Sequence, residues 1–283
     1  MTSTRKAYFI GGGIGSLAGA AFLIRDGGLP GGQITILEAG PVMGGSLDGA
    51  GDAERGYTMR GGRMLTTDNY ECTWDLFKSI PSVAQPGRSV FDETLAFNEQ
   101  HMGFSMGDRV ELLKLVSADE ASLGASCITD HLSPAFFETE FWFMWVTTFA
   151  FQPWHSAVEF RRYLHRFMLE FSRIETLAGV KRTVFNQYDS LVVPLQQWLA
   201  GQGVRMLTDC TVTDIDHRGA DRPFEVIALH CTVKGQAEIK QLEDGDLVFL
   251  QNGSMTDASS LGSMTAAPAK LKKAPNGSWT LWE

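Results

Sequence analysis

Residues 5–38 hold the pattern that most constrains the fold of this chain: strand, glycine turn, helix and strand in immediate succession. The first apolar run, Ala7–Ile10, ends at the turn Gly11-Gly-Gly-Ile-Gly15, and the second run, Ile34–Leu37, ends at Glu38. Continuous apolar runs of this length are typical of parallel strands buried on both faces. The residues between them are mostly small, which lets a helix pack closely on a sheet. The order therefore predicts a βαβ unit.

The glycine turn has the spacing of a dinucleotide-binding loop, Gly11-x-Gly13-x-x-Ser16, with Gly15 inside it and serine in the third small position. In such a loop the first glycine permits the tight turn, and the second lets the backbone approach a pyrophosphate. The helix N-terminus that follows offers N–H groups to the anion. Glu38, at the end of the next strand, is placed to accept ribose hydroxyl protons. A purely structural glycine turn is the alternative, but this context favours dinucleotide binding.

Three later segments favour FAD over NAD as the dinucleotide. The sequence Gly44-Gly-Ser46 offers small residues and backbone donors to the far side of a pyrophosphate. Residues 203–206 and 212–215 resemble a strand pair that packs beside the adenine in flavoproteins with two dinucleotide-binding domains. Residues 252–254 resemble the later return of such chains to the cofactor. An ordinary β-meander is the alternative for these strands. The predicted additional cofactor contacts are Gly44, Gly45, Ser46, Val212, Asn252 and Ser254.

The stretch 136–154 is unusually aromatic, with nine Phe or Trp side chains in nineteen residues. The commonest fate of such residues is the core of a domain. However, residues 141–151 are apolar on nearly every face, which leaves two alternatives: the wall of a lipid-binding cavity and transient contact with a membrane surface. Ser156 and Glu159 form a capping-box signature that predicts the start of the next helix. Asp189 predicts the cap of a further helix over residues 190–199.

Together these patterns predict an α/β fold, namely a Rossmann-like FAD-binding sheet domain of the two-dinucleotide-binding-domain flavoprotein type with a helical, aromatic-rich insertion. Residues 1–69 form the first part of the FAD-binding domain, residues 70–187 the helical substrate-binding insertion, and residues 188–283 the continuation of the FAD-binding domain. Further strands are predicted in the last part, at residues 204–207, 212–215, 226–233 and 247–250.

Charge and cysteine content exclude several classes of protein. With 24 Lys and Arg against 33 Asp and Glu, the net charge is −9, and no basic stripe is present to bind nucleic acid. No two of the four cysteines form a CxxC pair. We therefore expect neither a disulfide framework nor a structural metal site. His155 and His165 lack an evident third metal ligand. The N-terminus lacks a secretory signal, and we expect a cytoplasmic protein.

Several longer motifs lie at residues 60–63, 70–77, 79–82, 149–156, 159–165, 186–189 and 252–256. These motifs resemble the oleate hydratases, the FAD-dependent fatty acid hydratases formerly called myosin-cross-reactive antigens. The resemblance implies a hydro-lyase that adds water to the cis double bond of a free unsaturated fatty acid, turning oleic acid into 10-hydroxystearic acid without net redox change. It also implies bound FAD in a structural and electrostatic role, most effective when reduced, and a long apolar cavity for the acyl chain.

The resemblance also implies roles for single residues. The tyrosine of the Asn-Gln-Tyr-Asp motif, Tyr188, is the group that protonates the double bond. The loop through Gly61, Gly62 and Arg63 is expected to contact the cofactor. The family's water-activating glutamate corresponds to Met64, and a thioether is no base at neutral pH. Groups that would orient water instead are Asp68, Glu71, the Gly61 and Gly62 carbonyls and the flavin.

Chain length is a second departure from the family, whose members continue well beyond residue 283. We expect a shortened chain that lacks the family's later cofactor and carboxylate contacts. Two alternatives to a hydratase therefore stay open. One is an FAD-dependent oxidoreductase of the amine oxidase or desaturase type, and the other is a non-catalytic flavin-binding or lipid-binding protein.

Overall fold

The computed structural model describes residues 5–47, 49, 51–54, 56–57, 65–66, 70–99, 112–167, 180–219, 225–253, 263–268 and 281. The chain divides into two compact units. The first unit comprises residues 1–62, 72–94 and 183–283, and the second comprises residues 63–71 and 95–182.

A four-stranded parallel sheet forms the centre of the first unit, as the βαβ pattern predicts. Its strands are β1 (Ala7–Ile10), β2 (Ile34–Leu37), β7 (Arg205–Leu207) and β11 (Leu247–Leu250), in the spatial order β11-β1-β2-β7. All four residues of β1 and of β2 are buried, which explains their continuous apolar sequence. The Phe9 and Phe249 rings stack between β1 and β11, with centroids 4.6 Å apart.

Helix α1 (Ile14–Arg25) connects β1 to β2 and confirms the predicted crossover. Small side chains bring this helix close to the strands, since a Cβ atom added at Gly19 would lie 2.8 Å from Phe9 Cε1. Helix α8 (Val193–Gly201) packs against α1 and leads into β7. The first unit also contains α2 (Glu71–Ser79) from its second residue on, the start of α3 (Val90–Glu99) and the short strands β3 (Gly51–Asp52) and β4 (Gly56–Tyr57).

A second, antiparallel sheet in this unit consists of β8 (Cys210–Arg218), β9 (Glu225–Val233) and β10 (Gln236–Gln241) in the order β10-β9-β8. The first two strands confirm the sequence prediction, and β10 was not predicted because its residues are mostly polar. Side chains from the two sheets share one core of seven buried residues: Tyr8, Ile10, Leu37, Cys210, Val212, Leu229 and Cys231. Burial raises the pKa of the Cys231 thiol to about 11, so this side chain remains a neutral core residue.

The second unit is mainly helical among its described residues. Strands β5 (Leu65–Thr66) and β6 (Val180–Lys181) pair antiparallel, and the helices are α4 (Leu112–Ser117), α5 (Glu120–Leu123), α6 (Glu140–Phe149) and α7 (Ala157–Phe167). Ser156 caps α7 as predicted, because its hydroxyl accepts a hydrogen bond from the Glu159 N–H at 3.4 Å. Trp145, at 0% exposure, lies at the centre of the aromatic core and contacts Phe141, Phe149, Phe160 and Phe167.

Gly31 provides a test of the packing between the loop before β2 and the end of α8. A Cβ atom at Gly31 would overlap the backbone carbonyl of Gln202, whereas none of the atoms that the structure describes lies within 4 Å of a Cβ atom at Gly32. We expect Gly31→Ala to lower the free energy of unfolding by about 1–3 kcal/mol, the usual cost of overpacking. Gly32→Ala is the matched control and should stay within about 0.5 kcal/mol of wild type. Urea denaturation measures both, and equal stabilities would show that this backbone contact is absent.

Candidate functional site

The glycine turn after β1 is shaped by close backbone contacts. Gly11 has φ +95°, and a Cβ atom there would lie 2.8 Å from the Gln251 carbonyl oxygen. Its N–H donates to the Leu37 carbonyl at 2.8 Å, so the turn is tied to the end of β2. Only glycine combines this conformation with this approach. The structure therefore gives the first glycine of the motif the tight-turn role that the sequence predicted.

Glu38 reaches back from the end of β2 to the same turn. Its Oε2 accepts a hydrogen bond from the Gly12 N–H at 2.6 Å, and its Oε1 accepts one from the Gly40 N–H at 2.7 Å. A carboxylate has about four lone-pair sites, so two acceptor positions remain after these bonds. Glu38 is thereby held in a defined orientation beside the glycine turn, with capacity left for two hydroxyl groups of a ligand.

The second glycine-rich segment lies directly against the first. The Gly44 N–H donates to the Gly12 carbonyl at 2.8 Å, and Gly44 forms a parallel bridge with Gly13. A Cβ atom at Gly45 would lie 3.0 Å from Gly13 Cα, so the two backbones are as close as glycine allows. Ser46 follows in a short 3-10 turn, Gly45–Leu47. The structure thus brings together the two segments that the sequence proposed as the two sides of a pyrophosphate site.

The start of α1 offers an open position for an anion. Among the described residues, no atom lies within 4 Å of a Cβ atom added at Gly13, which is the N-cap of α1. The first N–H groups of any helix lack intrahelical acceptors, and the helix dipole favours negative charge there. Ser16, in the first turn, is fully buried, and its hydroxyl has no hydrogen-bond partner among the described residues. An open glycine cradle beside free helix donors fits a dinucleotide pyrophosphate.

Residues 251–253 cross the same turn after β11, and their predicted return to a cofactor stays a prediction. The Gln251 N–H donates to the Ile10 carbonyl at 2.9 Å, and Asn252 Cα would lie 3.3 Å from a Cβ atom at Gly11. The Gln251 side-chain oxygen would lie 2.5 Å from a Cβ atom at Gly15, so the end of this flexible side chain lies beside the first turn of α1. The structure therefore places Asn252 next to the glycine turn, and Ser254 lies outside the described residues.

Val212 lies on β8, in the core between the two sheets, and is only 8% exposed. Its strand begins beside Glu38, because the Cys210 N–H donates to the Glu38 carbonyl at 2.9 Å. The side chain of Val212 is thus a packing residue, and only its strand approaches the acidic end of β2. Contact between Val212 and a cofactor stays a prediction.

Tyr188 lies beside the second glycine-rich segment, although 143 residues separate it from Gly44 along the chain. A Cβ atom at Gly44 would lie 3.4 Å from Tyr188 Cδ2, and one at Gly49 would lie 3.1 Å from Tyr188 Cβ. Tyr188 itself is half-buried and opens a π-helical turn, Tyr188–Val192, that continues into α8. The fold therefore brings the predicted proton donor into contact with the loop that adjoins the predicted cofactor turn.

Five predicted site residues have no described structure: Gly61, Gly62, Arg63, Met64 and Ser254. Asp68, one of the alternative water-orienting groups, also lies outside the described residues. Glu71, another of them, is the first residue of α2 and is exposed. The roles suggested for these residues stay predictions.

The aromatic stretch is chiefly the core of the second unit, which was the simpler of its three interpretations. Phe136, Trp142, Trp145 and Phe151 are at most 4% exposed, and each packs edge to face against a neighbouring phenylalanine ring. Phe143 and Trp154, by contrast, are 59% and 43% exposed. Among the described residues, no helix is long and apolar enough to cross a membrane. Transient contact with a membrane stays a prediction.

The two histidines singled out in the sequence have structural partners. His165 Nε2 lies 2.8 Å from the Val116 carbonyl. His155 accepts a hydrogen bond from the Gln152 N–H at Nδ1, at 3.2 Å, and its ring lies against Phe151 and Trp154. Burial lowers the pKa of His155, so the fold favours the neutral ring.

This burial predicts acid sensitivity of the second unit. Below the ordinary histidine pKa of about 6.5 the unfolded chain takes up a proton that folded His155 resists, so stability must fall as the pH drops. We expect the free energy of unfolding to decrease more between pH 7 and pH 5 in wild type than in His155→Asn, which keeps an acceptor for the Gln152 N–H. Chemical denaturation at both pH values measures the difference. Parallel pH dependence of the two proteins would contradict this role of His155.

The sequence analysis missed three residues that shape the site: Gly49, Asn186 and Gln251. Gly49 borders the Tyr188 and Asn186 side chains, and Asn186 binds the Asp189 side chain at 2.6 Å. Asp189 was expected to cap the helix, but its own N–H donates to Asn186 Oδ1 at 2.9 Å, so Asn186 is the capping residue and Asp189 lies in the first turn. An Asn three residues before an Asp, ahead of an apolar run, is the signal that identifies this cap.

Comparison with known proteins agrees with the motifs. A family model described as the MCRA family matches residues 4–102 and 97–283. An oleate hydratase from Streptococcus pyogenes serotype M49 (strain NZ131) is 39% identical over 299 residues, which cover 99% of this chain and 50% of that protein. A linoleate hydratase from Lactiplantibacillus plantarum is 32% identical over 323 residues, which cover 98% of this chain and 56% of that protein.

Two solved structures resemble the chain distantly. An oxidoreductase from Methanosarcina mazei has a TM-score of 0.47 and 13% identity, covering 87% of this chain and 58% of that one. A CLA-producing fatty acid isomerase from P. acnes has a TM-score of 0.43 and 15% identity, covering 88% of this chain and 59% of that one. Likenesses at these scores carry no conclusion about function.

The sequence comparisons are far more specific. The family model covers almost every residue, and both sequence relatives are more than 30% identical across nearly the whole chain. The chain spans about half the length of the curated relatives it matches. On this evidence the chain belongs to the MCRA family.

Proposed function

We propose that this chain carries the FAD-binding and proton-donating part of a fatty acid hydratase, a hydro-lyase that adds water to a cis double bond. The observation that carries the proposal is the contact of Tyr188 with Gly44 and Gly49, on the segment that adjoins the dinucleotide turn. The names of the two relatives, an oleate and a linoleate hydratase, support an unsaturated fatty acid as the substrate.

The residues proposed to hold FAD lie in the first unit. Gly13 leaves room for the pyrophosphate at the start of α1, Gly44 and Gly45 cover its other side, and Glu38 has lone pairs left for ribose hydroxyls. These features support a flavoprotein sheet domain of the two-dinucleotide-binding-domain type. When bound, FAD would supply an electron-rich ring system that stabilises positive charge, most effectively in its reduced form.

The proposed reaction needs one proton on one alkene carbon and a hydroxyl group on the other. The Tyr188 phenol gives its proton to the first carbon, and the π electrons form the new C–H bond. A water molecule then adds through its oxygen to the electron-deficient second carbon and loses a proton, which returns to the phenolate. Atoms and charge balance without an oxidant or reductant. Since a phenol is a weak acid, the step depends on how closely the phenol and the double bond are held.

Water activation is the step for which this chain departs from its family. A thioether at position 64 cannot take the proton that water loses. The return of that proton to the Tyr188 phenolate, with backbone carbonyls orienting the water, requires no side-chain base at that position. We propose this arrangement for the present chain, with Glu71 and Asp68 as alternative acceptors.

Binding of the acyl chain would draw on apolar contacts. A methylene group removed from water contributes roughly 0.8 kcal/mol, so an eighteen-carbon chain can obtain most of its binding free energy this way.

Isotope labelling tests the proposed function. The protein is incubated with FAD, a reductant and oleate in water enriched in ¹⁸O, and the products are examined by mass spectrometry. We expect a hydroxy fatty acid whose new hydroxyl group carries ¹⁸O. The flavin absorbance at the end of the reaction should equal that before oleate was added. A dehydrogenated product, together with bleaching of the flavin by oleate in a parallel sample without reductant, would instead establish an oxidoreductase. Binding of FAD and oleate without any product would establish a binding protein.

A further inference from the structure

The segment before Tyr188 is closed by a reciprocal side-chain contact. Asn186 Nδ2 donates to Asp189 Oδ2 at 2.6 Å, and the Asp189 N–H donates back to Asn186 Oδ1 at 2.9 Å. The Ser190 N–H also donates to the Asn186 carbonyl, at 3.0 Å. Hydrogen bonds to a carboxylate are stronger than those between neutral groups. These hydrogen bonds close a loop around Tyr188 from Asn186 on one side to Asp189 on the other. We call this pair of residues the Asn186–Asp189 clasp.

The backbone at Tyr188 follows an uncommon course. The Val193 N–H donates to the Tyr188 carbonyl, five residues back, so the first turn is π-helical before regular α8 begins. Single π-helical turns inside helices are rare and occur often at functional sites. The wider turn changes the direction in which Tyr188 leaves the helix, compared with a regular α-helical start. Such a turn needs a local contact that stabilises it, and the clasp spans its first residues.

Two glycines complete the surroundings of Tyr188. At Gly49 a Cβ atom would lie 2.9 Å from Asn186 Oδ1 and 3.1 Å from Tyr188 Cβ, so a side chain there would meet both the clasp and the tyrosine. At Gly44 a Cβ atom would lie 3.2 Å from Val192 Cγ1 and 3.4 Å from Tyr188 Cδ2. Both ends of the π-helical turn therefore rest against the glycine-rich loop. The placement of the phenol depends on the clasp and on the absence of a side chain at Gly49.

We propose that Asn186, Asp189 and Gly49 are positioning residues, which fix the direction of the Tyr188 side chain without touching the substrate. This inference rests on the proposed role of Tyr188 as proton donor. A displacement of about 1 Å can cost roughly a hundredfold in rate. The three residues therefore contribute to turnover and not to the binding of the fatty acid or of FAD.

Exchanging the amide and the carboxylate between positions 186 and 189 tests the clasp. Asn186→Asp sets two carboxylates against each other and breaks the clasp, whereas Asn186→Asp combined with Asp189→Asn restores it with donor and acceptor exchanged. We expect kcat to fall roughly 10- to 100-fold in the single variant and to recover in the double variant, with KM and the FAD dissociation constant unchanged in both. Asp92→Asn, which removes the carboxylate partner of Ser89 at 2.7 Å, is the matched surface control and should leave kcat unchanged.

Gly49→Ala tests the contact from the other side. No positive φ is required at Gly49, so alanine strains no backbone there and acts only through its Cβ atom. We expect a similar fall in kcat at unchanged KM. Gly32→Ala, whose Cβ atom would have no neighbour within 4 Å in the described part of the chain, should behave as wild type. A lower melting temperature with a wild-type kcat in Gly49→Ala would reduce this residue to a packing role and overturn its assignment.

A second readout separates this inference from the proposed function. Protein labelled with ¹³C at the phenolic carbon of tyrosine gives one resonance for Tyr188, which is identified by its loss in Tyr188→Phe. The resonance should shift in Asn186→Asp and Gly49→Ala and return in the double variant, whether or not the protein hydrates oleate. An unshifted resonance, or a kcat that does not recover in the double variant, would overturn the positioning role. Full activity of Tyr188→Phe would overturn the proton-donor role instead.

Discussion

Tyr188→Phe is expected to lower the rate of oleate hydration by roughly 10²- to 10⁴-fold, the contribution usual for a positioned general acid. The substitution removes only the phenolic O–H group and keeps the ring that packs against Gly44 and Gly49. FAD affinity and melting temperature should therefore stay at their wild-type values. Single-turnover measurements of ¹⁸O incorporation give the rate, and flavin fluorescence gives the affinity.

Tyr57→Phe is the matched control for this experiment. Tyr57 lies on β4 in the same unit and is 58% exposed, so loss of its hydroxyl should not change turnover. Retained hydration in Tyr188→Phe would exclude the phenol as the proton source. An equal loss of rate in both variants would show that the effect is not specific to position 188.

Gly13→Ala is expected to weaken FAD binding at least tenfold while leaving the fold unchanged. Gly13 has φ −68° and ψ 172°, which alanine adopts without strain, and its Cβ atom would meet no atom of the described residues within 4 Å. The methyl group would instead fill the space where a pyrophosphate must approach the backbone. A tenfold loss of affinity corresponds to about 1.4 kcal/mol. Calorimetric titration with FAD measures the affinity, and thermal unfolding without FAD measures the stability.

Gly32→Ala again serves as the control, because it adds the same methyl group at another open position. Wild-type affinity in Gly13→Ala would show that the pyrophosphate does not lie at the start of α1. Reduced stability of Gly13→Ala without FAD would show that the loss reflects damage to the turn and not exclusion of the cofactor. The expected pattern, lost affinity at wild-type stability, separates binding from folding at one position.

Much of the first unit could be predicted from the sequence because its signals are local. The two buried strands, the crossover helix and the turn between them are each encoded within a few residues, as are β9 and β11. Glu38, at the end of the second strand, was predicted to accept ribose hydroxyl protons, and that role stays a prediction. The structure places its carboxylate against the glycine turn through the Gly12–Glu38 hydrogen bond.

For other features of the fold, no pattern within one segment of the sequence could decide between the possible structures. The aromatic content of residues 136–154 is equally compatible with a core, a cavity wall and a membrane contact, and only the packing around Trp145 shows which side chains are buried. Strand β10 was missed because five of its six residues are exposed, and exposed strands lack the apolar pattern that predicts them. The capping role of Asn186 was assigned to Asp189 because both residue types accept backbone hydrogen bonds equally well.

The sequence alone determined three features: the parallel βαβ unit, the glycine turn with its acidic partner, and the family resemblance. Each of them depends on residues that lie close together in the chain. Only the tertiary structure placed Tyr188 against Gly44 and Gly49, and Gln251 against Gly15. These contacts join residues more than a hundred positions apart. They depend on how strands and helices pack, and the side-chain pattern within one segment carries no information about which distant segment will cover it.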